Sequence, residues 1–495
     1  MIKVYFGRKS MRAGWKQPLH CAALCFASYV VFGVAAVGSA AAETGASPVI
    51  GDERAVRQHL DLSDLATMSV EAINAHGRML FDAKFTTLDG AGRPAATQAE
   101  VPVKRRPGRV PALFRTSGPD SNACNGCHNQ PASGGAGEFV ANVFTSVGVS
   151  DAEFDTLEAQ FSNERGTPHL HGSGLVELLA REMTAELRAL RRDAVDQARA
   201  SGQSVTVPLV AKGVEFGSLT VQPDGFVNVE QIEGIDHDLI VRPFSQKGVF
   251  TSLRQFSINA MNTHHGMQSD ERWGMQWTHS ADFDEDGHKQ ELLSGDLTAV
   301  VLFQAALPTP VQTMPEHPVL QDAVKEGADL FDQALCSQCH VKALPLKSLT
   351  FVEPGPYNAA GNLRASDRSD AVFSFQLSSA GLEQNEKGEW MVPVFSDFKR
   401  HVIADAEKSH FGNERLSQRF IPNDQFLTPR LWGVGSTAPY GHRGDVSTLR
   451  EVIGHHGGQA KEARLAFEKL SDLEQRKIIQ YLQSLTLTLA TEIQQ

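Results

Sequence analysis

Cysteine is scarce, with six residues in a chain of 495. That is far too few for a disulfide scaffold at this length. Basic residues are also in deficit, 46 Lys and Arg against 58 Asp and Glu, for a formal charge of −12. An acidic balance of this kind argues against nucleic acid as a partner. Beyond residue 42 no stretch is apolar enough to span a bilayer. What remains is ordinary globular composition, 41% hydrophobic and 21% charged. At roughly 150 residues per domain, the length allows two or three domains with real cores.

The first 42 residues differ from the rest. Lys3, Arg8, Lys9, Arg12 and Lys16 form a basic region without an acid, and an apolar run over 21–37 follows. Small residues then end in Ala40-Ala41-Ala42 before Glu43. This order reads as a secretory signal peptide over 1–42, cleaved near Ala42. A retained membrane anchor is the alternative, for which the run is short. Cleavage removes Cys21 and Cys25 and leaves 41 bases against 58 acids. The expectation is a soluble, exported protein of the periplasm, without stable membrane insertion.

The other four cysteines stand as Cys124-Asn125-Gly126-Cys127-His128 and Cys336-Ser337-Gln338-Cys339-His340. Cys-x-x-Cys-His is the attachment pattern of c-type haem. Two thiols add across the two vinyl groups of one porphyrin, and the adjacent histidine reaches the iron. A zinc site needs further ligands, and a redox-active cysteine pair needs no histidine next in line, twice. Two covalently attached haems are therefore expected, at Cys124, Cys127, His128 and at Cys336, Cys339, His340.

The surroundings of the two motifs repeat. Gly77-Arg78-Met79-Leu80-Phe81-Asp82 precedes the first, and Gly327-Ala328-Asp329-Leu330-Phe331-Asp332 precedes the second. Downstream, Thr167-Pro168-His169-Leu170-His171-Gly172 echoes Thr428-Pro429-Arg430-Leu431-Trp432-Gly433. Ser252-Leu253-Arg254 leads to His264-His265-Gly266, as Thr448-Leu449-Arg450 leads to His455-His456-Gly457. Helical runs over 297–307 and 473–485 close the two halves, the second with a capping box at Ser471 and Glu474. Four matches in one order point to an internal duplication. The prolines over 308–318 read as the linker between an N-terminal lobe at 43–307 and a C-terminal lobe at 319–495. Alternation over 205–241 with glycine punctuation predicts a small β insertion in the first lobe. Most of the rest has helical periodicity, as over 175–192. The fold class expected is mainly α, two cytochrome c-like lobes with this β insertion.

Each haem keeps one axial position after the proximal histidine, and its occupant decides between electron transfer and catalysis. The duplicated His-His-Gly makes His265 and His456 the expected distal ligands, with His264 and His455 as neighbours able to exchange roles. Met261 and Met267 are rivals in the first half; Met314 and Met391 lie outside the repeat. His169, His171 and Glu177 are candidate proton-transfer groups for reaction at the iron, against the plainer reading of solvated loop histidines. Tyr440 and His442 occupy the matching region of the second half. Trp432 and Trp273 are rings able to lie between haems or simply in the core. Asp282-Phe283-Asp284-Glu285-Asp286-Gly287 alternates carboxylates before a glycine, which is calcium-loop chemistry. Position twelve of a regular EF-hand is here Leu293, with Glu291 earlier, so Asp282, Asp284, Asp286 and Glu291 are candidate Ca2+ ligands outside that motif, or else a solvated acidic loop.

Taken together, these residues resemble the bacterial di-haem cytochrome c peroxidase superfamily, and within it the di-haem oxidoreductase branch often labelled thiol oxidoreductases. The resemblance rests on Leu431-Trp432-Gly433-Val434-Gly435 before Ala438-Pro439-Tyr440-Gly441-His442, on Thr448-Leu449 leading to His456-Gly457-Gly458, and on the Asp-rich loop leading to Gly295-Asp296. It covers roughly residues 60 to 488. It implies two haems facing a common interface. One relays electrons, and the other reacts with peroxide or a related oxidant. His456 then matches the branch's distal ligand, where peroxidases proper use Met. Relatives often carry Gly-Asp-Met-Gly where this chain has His264-His265-Gly266, a departure that puts His265 in place of Met. The function expected is a peroxidase-like di-haem oxidoreductase passing electrons from the C-terminal to a reactive N-terminal haem. The alternative is a non-enzymatic electron-transfer cytochrome with both irons bis-histidine ligated. A small basic donor such as a cytochrome c or cupredoxin is the expected partner, docking on an acidic surface.

Overall fold

Eight helices of six residues or more organise the described residues: α1 (Val70–Asp82), α2 (Ser173–Ser201), α3 (Leu253–Ala260), α4 (Ser294–Ala305), α5 (Pro318–Gln333), α6 (Leu449–Gly454), α7 (Lys461–Lys469) and α8 (Asp472–Ser484). The computed structural model describes residues 50–92, 121–145, 162–367, 372–414 and 417–489. The signal-peptide reading of 1–42 lies outside them. Contacts divide the chain into Met1–Asp52 and Glu53–Gln495, and all eight helices belong to the second unit.

The two G-x-x-L-F-D segments each lie in a packed helix pair. α1 packs on α4 and α5 packs on α8. The glycine of each G-x-x-L-F-D segment sits at the crossing. A Cβ on Gly77 would stand 1.9 Å from the Ala299 carbonyl oxygen, and one on Gly327 would stand 2.1 Å from that of Lys477. Only a residue without a side chain lets two helix backbones come this close. The capping box of α8 forms as the sequence predicts: Ser471 Oγ accepts from Glu474 N, and the Glu474 carboxylate accepts from Ser471 N at 2.8 Å.

The expected fold class is corrected. The protein is about 36% helix and 16% strand, and the described strands form six small sheets, so it is not a mainly α pair of cytochrome c-like lobes. Strands β1 (Gly137–Thr145) and β2 (Ser162–Thr167) form an antiparallel ribbon. β3 (Val205–Ala211), β4 (Val214–Val221) and β5 (Val227–Asn228) form the predicted insertion, which ends at residue 228 rather than 241. The remaining pairs fall mostly in the second half of the chain: Leu344–Leu346 with Trp390–Val392, Thr350–Glu353 with Phe373–Gln376, and Arg400–Val402 with Gln425–Leu427. Strands of two to four residues carry too few alternations to register as a period of two. Within 308–318, Pro310–Val311 pairs with Thr488–Leu489, and Pro318 opens α5.

The largest core also departs from two independent lobes. It joins Leu179, Met183 and Leu187 of α2 and Phe216 of β4 to Leu346, Phe351, Val392 and Trp432. Apolar side chains from both sides of the proline segment are thus buried together.

Candidate functional site

Both Cys-x-x-Cys-His motifs fold into the same tight turn. His128 N donates to Cys124 O, and His340 N to Cys336 O, each at 3.0 Å. Ahead of each turn the Phe of G-x-x-L-F-D lies beside the histidine. The rings of Phe81 and His128 are 6.3 Å apart, and those of Phe331 and His340 are 6.5 Å apart. The Thr-Pro segments meet the same histidines, Pro168 through its backbone at His128 and Pro429 at His340.

The predicted distal histidines arrive by equivalent routes. α3 is capped by Ser252 and runs into a turn at Met261–His265; α6 is capped by Thr448 and delivers His455 and His456. All four candidate ligands share one arrangement. His128 Nδ1 contacts Gly135 O at 3.3 Å, and His265 Nδ1 contacts Ser121 O at 2.7 Å. His340 Nδ1 contacts Phe395 O at 3.2 Å, and His456 Nδ1 contacts Val452 O at 2.8 Å. A carbonyl accepts only, so each Nδ1 carries the proton and each Nε2 keeps its lone pair. Burial lowers the pKa of all four, to about 4 for His128, His265 and His340. Neutral imidazole with Nε2 free is the form a metal ligand takes, and a carbonyl holding the other nitrogen is the usual support. His265 Nε2 stands 3.3 Å from Cys124 Sγ, which joins ligand and attachment point in the first site. The partner histidines of each pair differ: His455 stacks on His410 at 4.1 Å, and His264 lies edge-on to His265.

Burial pushes the Cys124 and Cys336 thiols up to about 12. Such thiols are neutral, which opposes a redox-active pair, whose nucleophile needs a lowered pKa. Cys339, Asp397 and His401 do converge, each with a ligand atom within 4.8 Å of the others. His401 donates to Asp397 at 2.7 Å. Among the described residues Cys339 is the one cysteine in such a group, whereas a zinc site of the Cys-x-x-Cys kind takes both thiols of the pair. The residues present therefore fit two c-type haems.

His169 and His171 are buried, and His169 Nε2 donates to Trp432 O at 2.8 Å. They follow Pro168, whose backbone meets His128. The Trp432 ring lies against Gly172. The two Thr-Pro segments of the repeat thus pack on each other. Glu177 is fully buried on α2, one turn further on. Its Oε1 accepts from Arg181 at 2.5 Å and its Oε2 from Leu253 N at 2.7 Å. Both oxygens are engaged in a buried ion network, whereas the His169 and His171 rings lie beside one another, 6.3 Å apart. Met261 and Met267 pack in a core with Leu80 and Phe85, Met391 is half-buried, and Met314 is exposed. Tyr440 donates to Val434 O at 3.1 Å. The His442 ring lies tilted against Phe426, centroids 4.3 Å apart, and bonds Asn413 at 3.0 Å.

The acidic loop brings three of its carboxylates together. One carboxylate oxygen each of Asp282, Asp284 and Asp286 lies within 4.8 Å of the others. A Cβ on Gly92 would stand 3.5 Å from Asp284 Oδ2, Asp286 Oδ2 and Gly90 O alike, so these three oxygens surround one point. Glu291 is buried beside Gly90 and accepts from Gln268 N at 2.6 Å. Its pKa is raised well above the ordinary range by burial, and then by the charge of Asp284.

Sequence reasoning missed Arg464, whose Nε donates to His456 O at 2.9 Å and so holds the backbone of a candidate ligand. It also missed Arg430 and the Asp397–His401 pair. Long-range contacts of this kind leave no local signal.

No family model matches the chain, and no curated protein matches it. The solved structures that are similar in part include two redox proteins. Hydrazine synthase from Kuenenia stuttgartiensis, pressurised with 20 bar xenon, has a TM-score of 0.33 at 12% identity, over 89% of this chain and 100% of its own. A MauG-like protein associated with microbial copper homeostasis has a TM-score of 0.26 at 15% identity, over 63% of this chain and 88% of its own. Similarity at this level carries no functional argument. No helix among the described residues is long and apolar enough to cross a membrane.

Proposed function

We propose that the protein is a periplasmic di-haem c-type oxidoreductase, peroxidase-like, with electron transfer from the C-terminal to the N-terminal site. The single observation that carries the haem reading is the matched set of four histidines: His128 with His265, and His340 with His456, each with Nδ1 on a carbonyl, which leaves the lone pair on Nε2. Bound iron supplies one-electron chemistry, and the axial ligands set its potential. The chain's own contribution is to fix the ligand tautomers, to bury the ligands and to keep the two halves on one core. Peroxide or a related small oxidant is the substrate class, and a small basic cytochrome c or cupredoxin the donor, in keeping with the acidic balance.

Expression with the c-type maturation machinery, followed by pyridine haemochrome quantitation, tests the cofactor. Two haems per chain are expected, falling to one in a Cys336→Ala, Cys339→Ala variant; a wild-type chain without covalent haem overturns the reading.

The electron-carrier reading has its own support. Both distal histidines are held by their Nδ1 carbonyl bonds, which favours six-coordinate iron. EPR of the oxidised and half-reduced protein, with and without peroxide, separates the two. High-spin iron in one state and a spectral change with peroxide support the enzyme; low-spin spectra throughout, indifferent to peroxide, reject it. His456→Ala should make one haem high-spin, and an unchanged spectrum rejects that ligand.

We also propose a structural Ca2+ at Asp282, Asp284, Asp286 and Glu291. The support is the convergence of hard oxygen donors from two segments.

A further inference from the structure

The structure holds one arginine that lacks the partner its position requires. Arg430 follows Pro429, whose backbone meets the proximal His340. Its charge also acts on His169, its counterpart in the repeat, which follows the Pro168 that meets His128. The guanidinium therefore lies within electrostatic reach of the segment that meets His128, while its own segment meets His340. It is surrounded by protein, and burial alone lowers its pKa, to about 10. Yet the residue keeps part of its surface accessible. His128, His340 and His456 combine depth and partial accessibility in the same way. Side chains of this kind line internal space rather than the outer surface. The hydrogen bond Arg430 makes is long, Nη1 to Pro243 O at 3.4 Å. No carboxylate among the described residues pairs with it. The buried arginines among the described residues differ: Arg254 has Glu271 and Glu353, Arg165 has Glu414, Arg242 has Asp236 and Asp238, and Arg464 has Glu407 and Glu468.

A desolvated, permanently charged group is costly unless an anion meets it. Guanidinium recognises carboxylates by paired, charge-assisted hydrogen bonds. Each haem brings two propionates. We propose that Arg430 is the counter-ion of a haem propionate at the junction of the two sites, and that it raises the reduction potential of the haem it holds. The inference rests on the di-haem reading. Its physical basis is that ferric haem carries one more positive charge than ferrous haem, so a nearby fixed cation favours the reduced state.

Arg430 is a positioning residue, and its test reads potential and vibrational signature rather than turnover. The loaded full-length protein, Arg430→Gln and Arg430→Lys are purified, and haem content is counted before any titration. A wild-type chain without two haems means failure of the di-haem reading itself. With two haems present, spectroelectrochemical titration of Arg430→Gln should show one midpoint shifted to lower potential and the other little changed. Arg430→Lys, which keeps the charge, should recover most of the shift. The propionate bending band in resonance Raman should move in Arg430→Gln. Potentials and Raman bands that match the wild type in Arg430→Gln overturn the proposal, as does a shift that Arg430→Lys reproduces in full. Should Arg430→Gln fail to load haem, an Arg430→Lys protein with altered propionate bands supports the contact, and one with wild-type bands overturns it.

Discussion

Arg254 and Glu353 meet at 2.7 Å, both buried, and the bond joins the two halves of the repeat across the proline segment. Arg254 also pairs with Glu271 at 2.5 Å and donates to Thr298 Oγ1 and Ser294 O at 3.0 Å. Burial works against its charge, but Glu271 and Glu353 hold it protonated. Replacing it with an apolar side chain leaves two carboxylates buried beside one another. Arg254→Met should therefore cost about 3–5 kcal/mol of unfolding free energy. Adding Glu353→Gln should restore part of that loss, because the stranded charge goes with it. Urea denaturation of the three variants checks both statements, and strictly additive losses would contradict the pairing.

The helix crossings make a sharper steric prediction. Gly77→Ala and Gly327→Ala each force a Cβ to within about 2 Å of a facing carbonyl oxygen. Backbone on both sides leaves nothing flexible to yield, so each should cost at least about 1–3 kcal/mol by overpacking. Gly454→Ala is the control. It lies on α6 with open space at its Cβ position, and alanine is the better helix former there by up to about 1 kcal/mol. Thermal unfolding should rank Gly454→Ala at or above the wild type and the other two well below it. Equal melting temperatures for all three would show that the crossings are looser than these distances require.

Asp296 gives the pH dependence. Its carboxylate is buried and accepts from Leu60 N at 2.9 Å and Leu293 N at 3.0 Å, with His59 at 2.7 Å and His76 at 2.9 Å. Burial alone would raise its pKa, but the bonds from His59 and His76 outweigh it and the net shift is downward. A carboxylate depressed in the folded state adds stability that is present above its unfolded pKa, about 3.9. That stability is lost as the pH falls through the lowered folded value. Asp296→Asn should therefore lose about 1–3 kcal/mol near neutrality, and the gap to the wild type should narrow on acidification below pH 4. Urea midpoints measured between pH 3 and 7 decide it, and a gap that widens on acidification refutes the assignment.

How much of this was legible in the sequence depends on the range of each interaction. Cys-x-x-Cys-His, G-x-x-L-F-D and the Ser471–Glu474 box were legible because their chemistry or geometry demands fixed local spacing. The insertion around β3 and β4 was legible because its strands run seven and eight residues. The small sheets over 344–427 were not, since strands such as Arg400–Val402 present three residues to a pattern of period two. Glu177 looked like a proton-transfer group because it follows His171. Only the fold shows that Arg181 and Leu253 N occupy its oxygens. Arg430 was invisible for the opposite reason: its meaning lies in the carboxylate that no described residue supplies.

The acidic loop gives the last prediction. The carboxylates of Asp282, Asp284 and Asp286 converge, and their charges act on Glu291, whose pKa burial raises first. A divalent cation reverses the sign of every one of those interactions, whereas without it the loop stores repulsion in the folded state. Binding to the folded protein alone adds RT ln(1 + [Ca2+]/Kd), about 2.7 kcal/mol at a concentration one hundred times Kd. The loaded wild-type protein should melt lower in EDTA and recover with Ca2+. Asp284→Asn and Glu291→Gln should remove the Ca2+-dependent gain, and in EDTA should match or exceed the wild type because they relieve the repulsion. That second comparison separates a cation site from a solvated acidic loop. A solvated loop gains nothing from Ca2+ and nothing from losing a charge, so indifference in both measurements would reject the site.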